Sequence, residues 1–329
     1  MTWLITGGAG YIGGHVVRSL TGAGVPVVVL DDLSSGGRDR LPAGVPLEVG
    51  STLDPAAVER VLNRYPVRGV LHIAAKKQPA ESVAEPLRYY RENVEGMRTV
   101  LSAAVAAGVR RVLFSSSAAV YGMPHDVELV TESTPCAPLN PYGETKLAGE
   151  WLLAACARAY GISGVSLRYF NVAGTATAEL ADRGAANLVP MVFQRLTEGR
   201  APLVFGTDYP TPDGSCVRDY IHVADVASAH LAAVRHLDAD PEPGALTLNV
   251  GRGEGVSVLE MLDVIARVTG RRFTPETAPR RPGDPAKVVA SADRIRAEFG
   301  WSAEHDVESM VASAWQAWLH HNPQARADH

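Results

Sequence analysis

The sequence predicts an α/β fold, a doubly wound parallel sheet with a smaller interleaved C-terminal lobe, on three observations. The chain opens on an apolar run, Trp3-Leu4-Ile5, that breaks into a glycine-rich turn and then a helical stretch. Strand-length apolar runs and helix-length segments alternate through the first half, the pattern of βαβ units rather than hairpins. Another apolar run, Arg111 to Phe114, ends in Ser115-Ser116-Ser117. Small hydroxyls at the C-terminal edge of a buried strand lie where open α/β sheets place their ligands.

Taken in order, the turn Thr6-Gly7-Gly8-Ala9-Gly10-Tyr11-Ile12-Gly13 follows the first strand and opens a helix. Glycines at 7, 10 and 13 allow a tight turn, close backbone approach to a pyrophosphate and tight helix–strand packing, with the phosphates on a helix N-terminus. The second strand, Val25 to Leu30, ends in Asp31-Asp32. Acids about twenty residues past such glycines are placed to take the ribose hydroxyls of a dinucleotide, as in a Rossmann fold. Asp31 disfavours the extra phosphate of NADP, whereas Arg38 and Arg40 nearby leave NADP open. Asp54-Pro55 opens a helix, Gly69 to Ala74 is a strand, and Pro86 to Gly108 is a long helix. Val165 to Phe170 is a further strand, and Leu246 to Val250 a late one that returns to the sheet. Ser257 and Glu260 form a capping box before an apolar helix.

Chemistry enters at Asn140-Pro141-Tyr142-Gly143-Glu144-Thr145-Lys146. Asn140 is a good N-cap and Pro141 suits the first helical position. Tyr142 and Lys146, four apart, then project from one helix face. Two readings stand: a phenol and an ammonium converging with a serine hydroxyl, or a surface helix with a solvated lysine. The chain has only four lysines, Lys76, Lys77, Lys146 and Lys287, among 31 Lys and Arg. A lysine in so Arg-biased a chain marks a place for a compact ammonium.

Composition narrows the function classes. A chain of 329 residues buries a large core, and a formal charge of −5 with mixed signs carries no basic stripe. Neither nucleic acid nor a membrane surface is an expected partner. The N-terminus enters a strand at once, which leaves no room for a signal peptide, and a cytoplasmic location is expected. Three scattered cysteines, Cys136, Cys156 and Cys216, indicate neither disulfides nor a metal site. In the second half, Val217 to His222 and Arg280 to Asp284 each carry arginine. These turns either close on a diphosphate through the forked guanidinium or pair with the aspartates beside them. His222, between Ile221 and Val223 at a helix start, reads as structural.

At these residues the chain resembles the extended short-chain dehydrogenase/reductase family, specifically its 4-epimerases of UDP-glucose and UDP-galactose. The matching segments are TGGAGYIG, LDDLSSG, HIAAKKQPAESV, YYRENVEG, FSSSAAVYG, NPYGETK, LRYFNVAG, DYPTPDGSCVRDYIHVAD and RRPGD, spanning almost the whole chain. The resemblance implies Ser117, Tyr142 and Lys146 as the catalytic set and NAD as the cofactor. It implies NAD contacts from the glycine loop and Asp31 and Asp32, from Ser51 and Thr52, and from Ile73, Ala74 and Ala75. Further NAD contacts fall on Lys77, Asn93, Ser115, Tyr142, Lys146 and Tyr169. UDP-sugar contacts fall on Lys77, Ser117, Tyr142, Asn171, Asn187 and Leu188, then on Leu203, Phe205, Arg218 and Tyr220, and on Val256, Arg281 and Asp284. Residues 1–171 are then expected to form the NAD-binding domain, with the late strand near 246–250, and 172–329 mainly the nucleotide-sugar lobe. Family members pair through two long helices, here around 86–108 and 142–160, so a homodimer is implied.

Two departures from the family pattern stand out. Gly50-Ser51-Thr52 replaces the usual Gly-Asp-Ile or Gly-Asp-Leu that reaches the adenine. Val288 occupies the position that borders the sugar, where aromatic residues restrict relatives to hexoses without an N-acetyl group and small ones admit it. Related sugar dehydratases need an acid pair after the strand-end hydroxyls; here those positions are Ala118 and Ala119, which have no proton to give. The expected reaction is reversible 4-epimerisation of a UDP-hexose through a 4-keto sugar. UDP-N-acetylhexosamine or UDP-glucuronate is an alternative substrate, and a non-catalytic NAD sensor an alternative role.

Overall fold

The structure is a computed structural model that describes residues 1–124, 127–184, 187–281 and 283–326. Its first half alternates as the sequence predicts: β1 (Thr2–Thr6), α1 (Tyr11–Gly22), β2 (Val27–Asp31), β3 (Leu47–Val49), α2 (Pro55–Arg64) and β4 (Val67–His72). Asp54 caps α2 by accepting from the Ala56 N–H, with Pro55 at the first helical position. The long helix follows a short one, α3 (Pro79–Ala84), and runs as α4 (Pro86–Tyr89), a π turn over Tyr90–Glu95 and α5 (Gly96–Ala106). That π turn, a feature frequent at functional sites, carries Asn93 to the buried side.

Next come β5 (Arg111–Ser115), α6 (Pro141–Tyr160), β6 (Ser163–Tyr169), β7 (Asn171–Ala173), α7 (Leu188–Thr197), β8 (Leu203–Phe205) and β9 (Val217–His222). The chain closes with α8 (Val223–Asp238), β10 (Gly244–Val250), β11 (Gly255–Ser257), α9 (Val258–Thr269), β12 (Glu276–Ala278), β13 (Lys287–Val288), α10 (Asp293–Phe299) and α11 (Val307–His321). Seven strands form one parallel sheet in the order β10-β6-β5-β4-β1-β2-β3. The order reverses between β1 and β4, which opens a crevice at their C-terminal ends.

Two of the hydrophobic cores position the site. The larger joins β1, β2, β5, β6 and β10 to α1, α8 and α10 through Trp3, Ile5, Val29, Leu113, Val165, Val226, Ile295 and their neighbours. Segments late in the chain therefore complete the sheet's helical layer. The second core lies in the lobe, where Phe193, Tyr220, Met261, Ile265, Val311 and Trp315 are buried together. There β9 sits between β11 and β13, with β7 also paired to it. The lobe is less irregular than its glycine and proline content suggests, because α7, α9 and α11 supply regular walls for that core.

Candidate active site

The glycine loop lies in the crevice beside β4. Gly7 has φ +73°, and a Cβ on it would come within 2.6 Å of the Ala74 N; one on Gly13 would come within 2.1 Å of the Gly7 O. A Cβ on Gly10 would meet only the Gly7 O, at 3.3 Å, so what a side chain there would obstruct is the start of α1. No side chain caps that helix, and no acid occupies its first turn. Its amides at Tyr11, Ile12 and Gly13 suit a pyrophosphate.

Asp31 is buried at the end of β2, with one oxygen accepting from the Ala9 N–H at 2.9 Å and the other from the Leu33 N–H at 2.8 Å. Each carboxylate oxygen keeps a lone pair for a ribose hydroxyl. Burial pushes its pKa up, against the two backbone amides. Asp32 is exposed and accepts from the Ser34 N–H at 2.9 Å. Arg40 is buried with its guanidinium on the Leu180 and Ala181 carbonyls, at 3.0 and 2.9 Å. It is therefore engaged by the fold rather than offered to a 2′-phosphate.

The other expected cofactor residues surround the same crevice. Ile73 and Ala74 both donate their N–H to the Thr6 carbonyl at 3.1 Å, and Ala75 follows. Ser51 accepts from the Leu53 N–H at 3.1 Å, and Thr52 lies against Gly96 at the start of α5. The Lys77 ammonium stands 5.7 Å from the centre of the Tyr11 ring. Asn93 binds the Lys76 backbone at both its N–H (2.8 Å) and its O (3.0 Å), and donates to the Thr145 hydroxyl at 2.9 Å. Both amide hydrogens are taken. What Asn93 does here is join the end of β4 to α6.

The serine, tyrosine and lysine do converge. Asn140 caps α6 by accepting from the Gly143 N–H at 3.0 Å, which starts the helix so that Tyr142 and Lys146 both face inward and are buried. The strand stops at Ser115 rather than Ser117, because Ser117 turns to cap the next 3-10 turn, accepting from the Ala119 N–H at 3.2 Å. Its hydroxyl faces the Tyr142 phenol; burial raises that phenol's pKa and Ser117 lowers it. The Lys146 ammonium donates to the Ser115 carbonyl at 2.7 Å, and burial brings its pKa down to about 7 against the pull of Glu150. Tyr169 ends β6 within the electrostatic reach of Tyr142. The solvated-lysine reading is excluded by this burial.

Behind them lies a polar cluster that sequence reasoning did not reach. Glu150, one turn beyond Lys146, takes the Arg168 guanidinium on both oxygens (2.9 and 2.5 Å) and the Ser116 hydroxyl. Arg168 also donates to the Tyr121 hydroxyl at 2.9 Å, which donates to Asn249 at 2.7 Å. Two signals were available: an acid on the lysine face of an Ala- and Leu-rich helix, and an arginine inside the apolar run VSLRYF.

The lobe gathers most of the remaining expected residues around β9. Asn171 pairs with Tyr220, and Val256 and Val288 flank Arg218 on either side. Arg218 forms an ion pair with Asp284, and Arg281 lies over the Phe205 ring at 3.8 Å, with Leu203 at the other end of that strand. Arg280, by contrast, pairs with Asp208. Asn187 and Leu188 begin α7, and Asn187 donates to Asp182 at 2.8 Å. His222 caps α8 from its buried ring, accepting the Ala224 N–H at 3.0 Å, a structural role.

This geometry has relatives. A family model described as the NAD dependent epimerase/dehydratase family matches residues 3–251. The chain belongs to that family. A UDP-glucose 4-epimerase of Azospirillum brasilense is 46% identical over 323 residues, covering 96% of this chain and 92% of that protein. The crystal structure of a UDP-glucose-4-epimerase from Stenotrophomonas maltophila, with bound NAD and formylated UDP-arabinopyranose, is similar with a TM-score of 0.93 at 37% identity, covering 98% and 99% of the two chains. Another, from Bifidobacterium longum in complex with NAD+ and UDP, has a TM-score of 0.90 at 35% identity over 99% and 100%. These three relatives, all UDP-glucose 4-epimerases, match over nearly their full length.

Proposed function

We propose that this chain is an NAD-dependent UDP-glucose 4-epimerase, interconverting UDP-glucose and UDP-galactose through a 4-keto sugar. The observation that carries the reading is the meeting of the Ser117 hydroxyl, the Tyr142 phenol and the Lys146 ammonium beside the glycine loop. NAD, when bound, supplies the acceptor and later the donor of the C4 hydrogen with its electron pair. Tyr142 must lose about three pKa units, roughly 4 kcal/mol, to act as a base near neutral pH. In the protein alone burial works against this. The Lys146 ammonium and the positive charge of the oxidised cofactor supply the opposing field.

Tyr142 would then take the proton of the sugar 4-hydroxyl and return it to the same oxygen once the sugar has turned over and presents the opposite face of C4 for return of its hydride, while Ser117 hydrogen-bonds that oxygen. Arg218 and Arg281 hold the diphosphate, leaving the sugar to turn over. Arg218 uses one nitrogen on Asp284 and another on the Val217 carbonyl at 2.8 Å, and a guanidinium has further N–H donors to give phosphate. Residues 1–171 with β10 form the cofactor half in this reading, and most of the later chain forms the UDP-sugar lobe.

A second reading, that N-acetylated UDP-hexosamines are also substrates, is favoured by Val288. It stands in register with Arg218 and is smaller than an aromatic side chain. Pairing into a homodimer is supported by the outer face of α3, α4 and α6, where Val83, Leu87 and Trp151 are 66%, 86% and 64% exposed. Three free cysteines go with a reducing, cytoplasmic compartment. The decisive experiment is a product assay with UDP-galactose and with UDP-N-acetylgalactosamine, before and after NAD is supplied. UDP-glucose formed from the first supports the reading, and no product from either with NAD present overturns it.

A further inference from the structure

His230 lies in the middle of α8, far in sequence from Ser115, Tyr142 and Lys146, yet it is fully buried against the end of β5. Its Nδ1 is 2.8 Å from the Val226 carbonyl, and its Nε2 is 2.9 Å from the Ser115 hydroxyl. A carbonyl only accepts, so Nδ1 carries the hydrogen. Burial brings the imidazole pKa down to about 4, so the ring is neutral at physiological pH and Nε2 is an acceptor. The hydrogen of Ser115 therefore points at His230. The Tyr169 ring lies 6.2 Å from that of His230. The carbonyl of the same serine holds Lys146.

We propose that His230 is a positioning residue, which holds in place Ser115, the residue whose carbonyl fixes the Lys146 ammonium. The chain of donors runs from Ser115 to His230 and from His230 to the Val226 carbonyl. This inference rests on the epimerase reading given above and on the placement of NAD beside Lys146. An imidazole is suited to the task because it offers a donor and an acceptor on opposite sides of a rigid ring, which no aliphatic side chain of that volume does.

The test compares His230→Leu, which removes the acceptor at similar volume, with His230→Gln, which restores one at the Nε2 position, alongside Ser115→Ala and the double variant. NAD affinity of the apoprotein, by calorimetry, is measured with kcat and KM. His230→Leu is expected to lower kcat about tenfold, the worth of one buried hydrogen bond, and to weaken NAD several-fold, with KM for the UDP-sugar unchanged. His230→Gln recovers most of both, and His230→Leu adds nothing to Ser115→Ala. A fall in melting temperature alone, with kcat and NAD affinity at wild-type values, overturns the proposal, as do effects that multiply in the double variant. If His230→Leu does not fold, Ser115→Ala and His230→Gln decide: losses of kcat and NAD affinity in the first that the second does not show support the proposal, and wild-type values in the first overturn it. An inactive wild type would refute the epimerase reading, while the affinity measurements still judge His230.

Discussion

The Lys146 ammonium donates to the backbone carbonyl of Ser115 at 2.7 Å, inside a site from which both side chains are screened from water. A backbone carbonyl orients the ammonium without neutralising it. Glu150, the nearest acid on the helix, is already shared with Arg168. In the epimerase reading proposed above, the charge of Lys146 is left to act on Tyr142, at the cost of burying it.

That cost has a sign. The folded pKa of Lys146, about 7, lies below the ordinary lysine value of 10.5. Between those values the unfolded chain binds more protons, so Lys146 makes the apoprotein more stable as pH rises from about 7 to 10. Holding the ammonium buried costs on the order of 4 kcal/mol at neutral pH. Lys146→Met should therefore flatten that part of the stability–pH curve while lowering kcat by roughly 10²- to 10⁴-fold. Urea titrations across pH check it; identical wild-type and variant slopes would count against the buried charge.

Tyr142→Phe removes the proton acceptor and keeps the ring. Turnover should fall by about 10²- to 10⁴-fold, with UDP-glucose still binding within a few-fold of wild type by calorimetry. Full turnover in this variant would refute the role given to the phenol.

Val288 stands in register with Arg218, so its size should govern the room beside the sugar. Val288→Tyr should lower kcat/KM for UDP-N-acetylgalactosamine at least about tenfold relative to UDP-galactose. Equal losses for both substrates, with an unchanged melting temperature, would mean that this side chain does not border the acetamido group.

The Glu150–Arg168 pair is buried on both sides. Glu150→Leu leaves an uncompensated guanidinium and should cost about 3–5 kcal/mol, most of it recovered when Arg168→Met is added. Thermal melts of the two variants decide, and a double variant no better than the single one would rule out charge burial as the cause.

If the protein pairs as proposed, Leu87→Glu with Trp151→Glu should leave a monomer by light scattering, since both side chains, one on α4 and one on α6, are exposed. A wild-type monomer would overturn the pairing, and a dimer that survives both changes would place the contact elsewhere.

Local chemistry is what the sequence by itself determined. The glycine turn, the acids ending the second strand, the Asn140 cap and the capping box at Ser257 are set by neighbours within a few residues, and each lies where its pattern indicates. Strands of two or three residues, such as β8, β12 and β13, are too short for any periodicity to declare them. The tertiary structure alone decided which groups are spent on the fold and which remain for ligands. Arg40 is held by carbonyls 140 and 141 residues away, Asn93 by the Lys76 backbone beyond β4, and Ser115 by a histidine 115 residues further on. Such pairings depend on how helices pack on the sheet, and residue spacing along the chain carries no record of that distance.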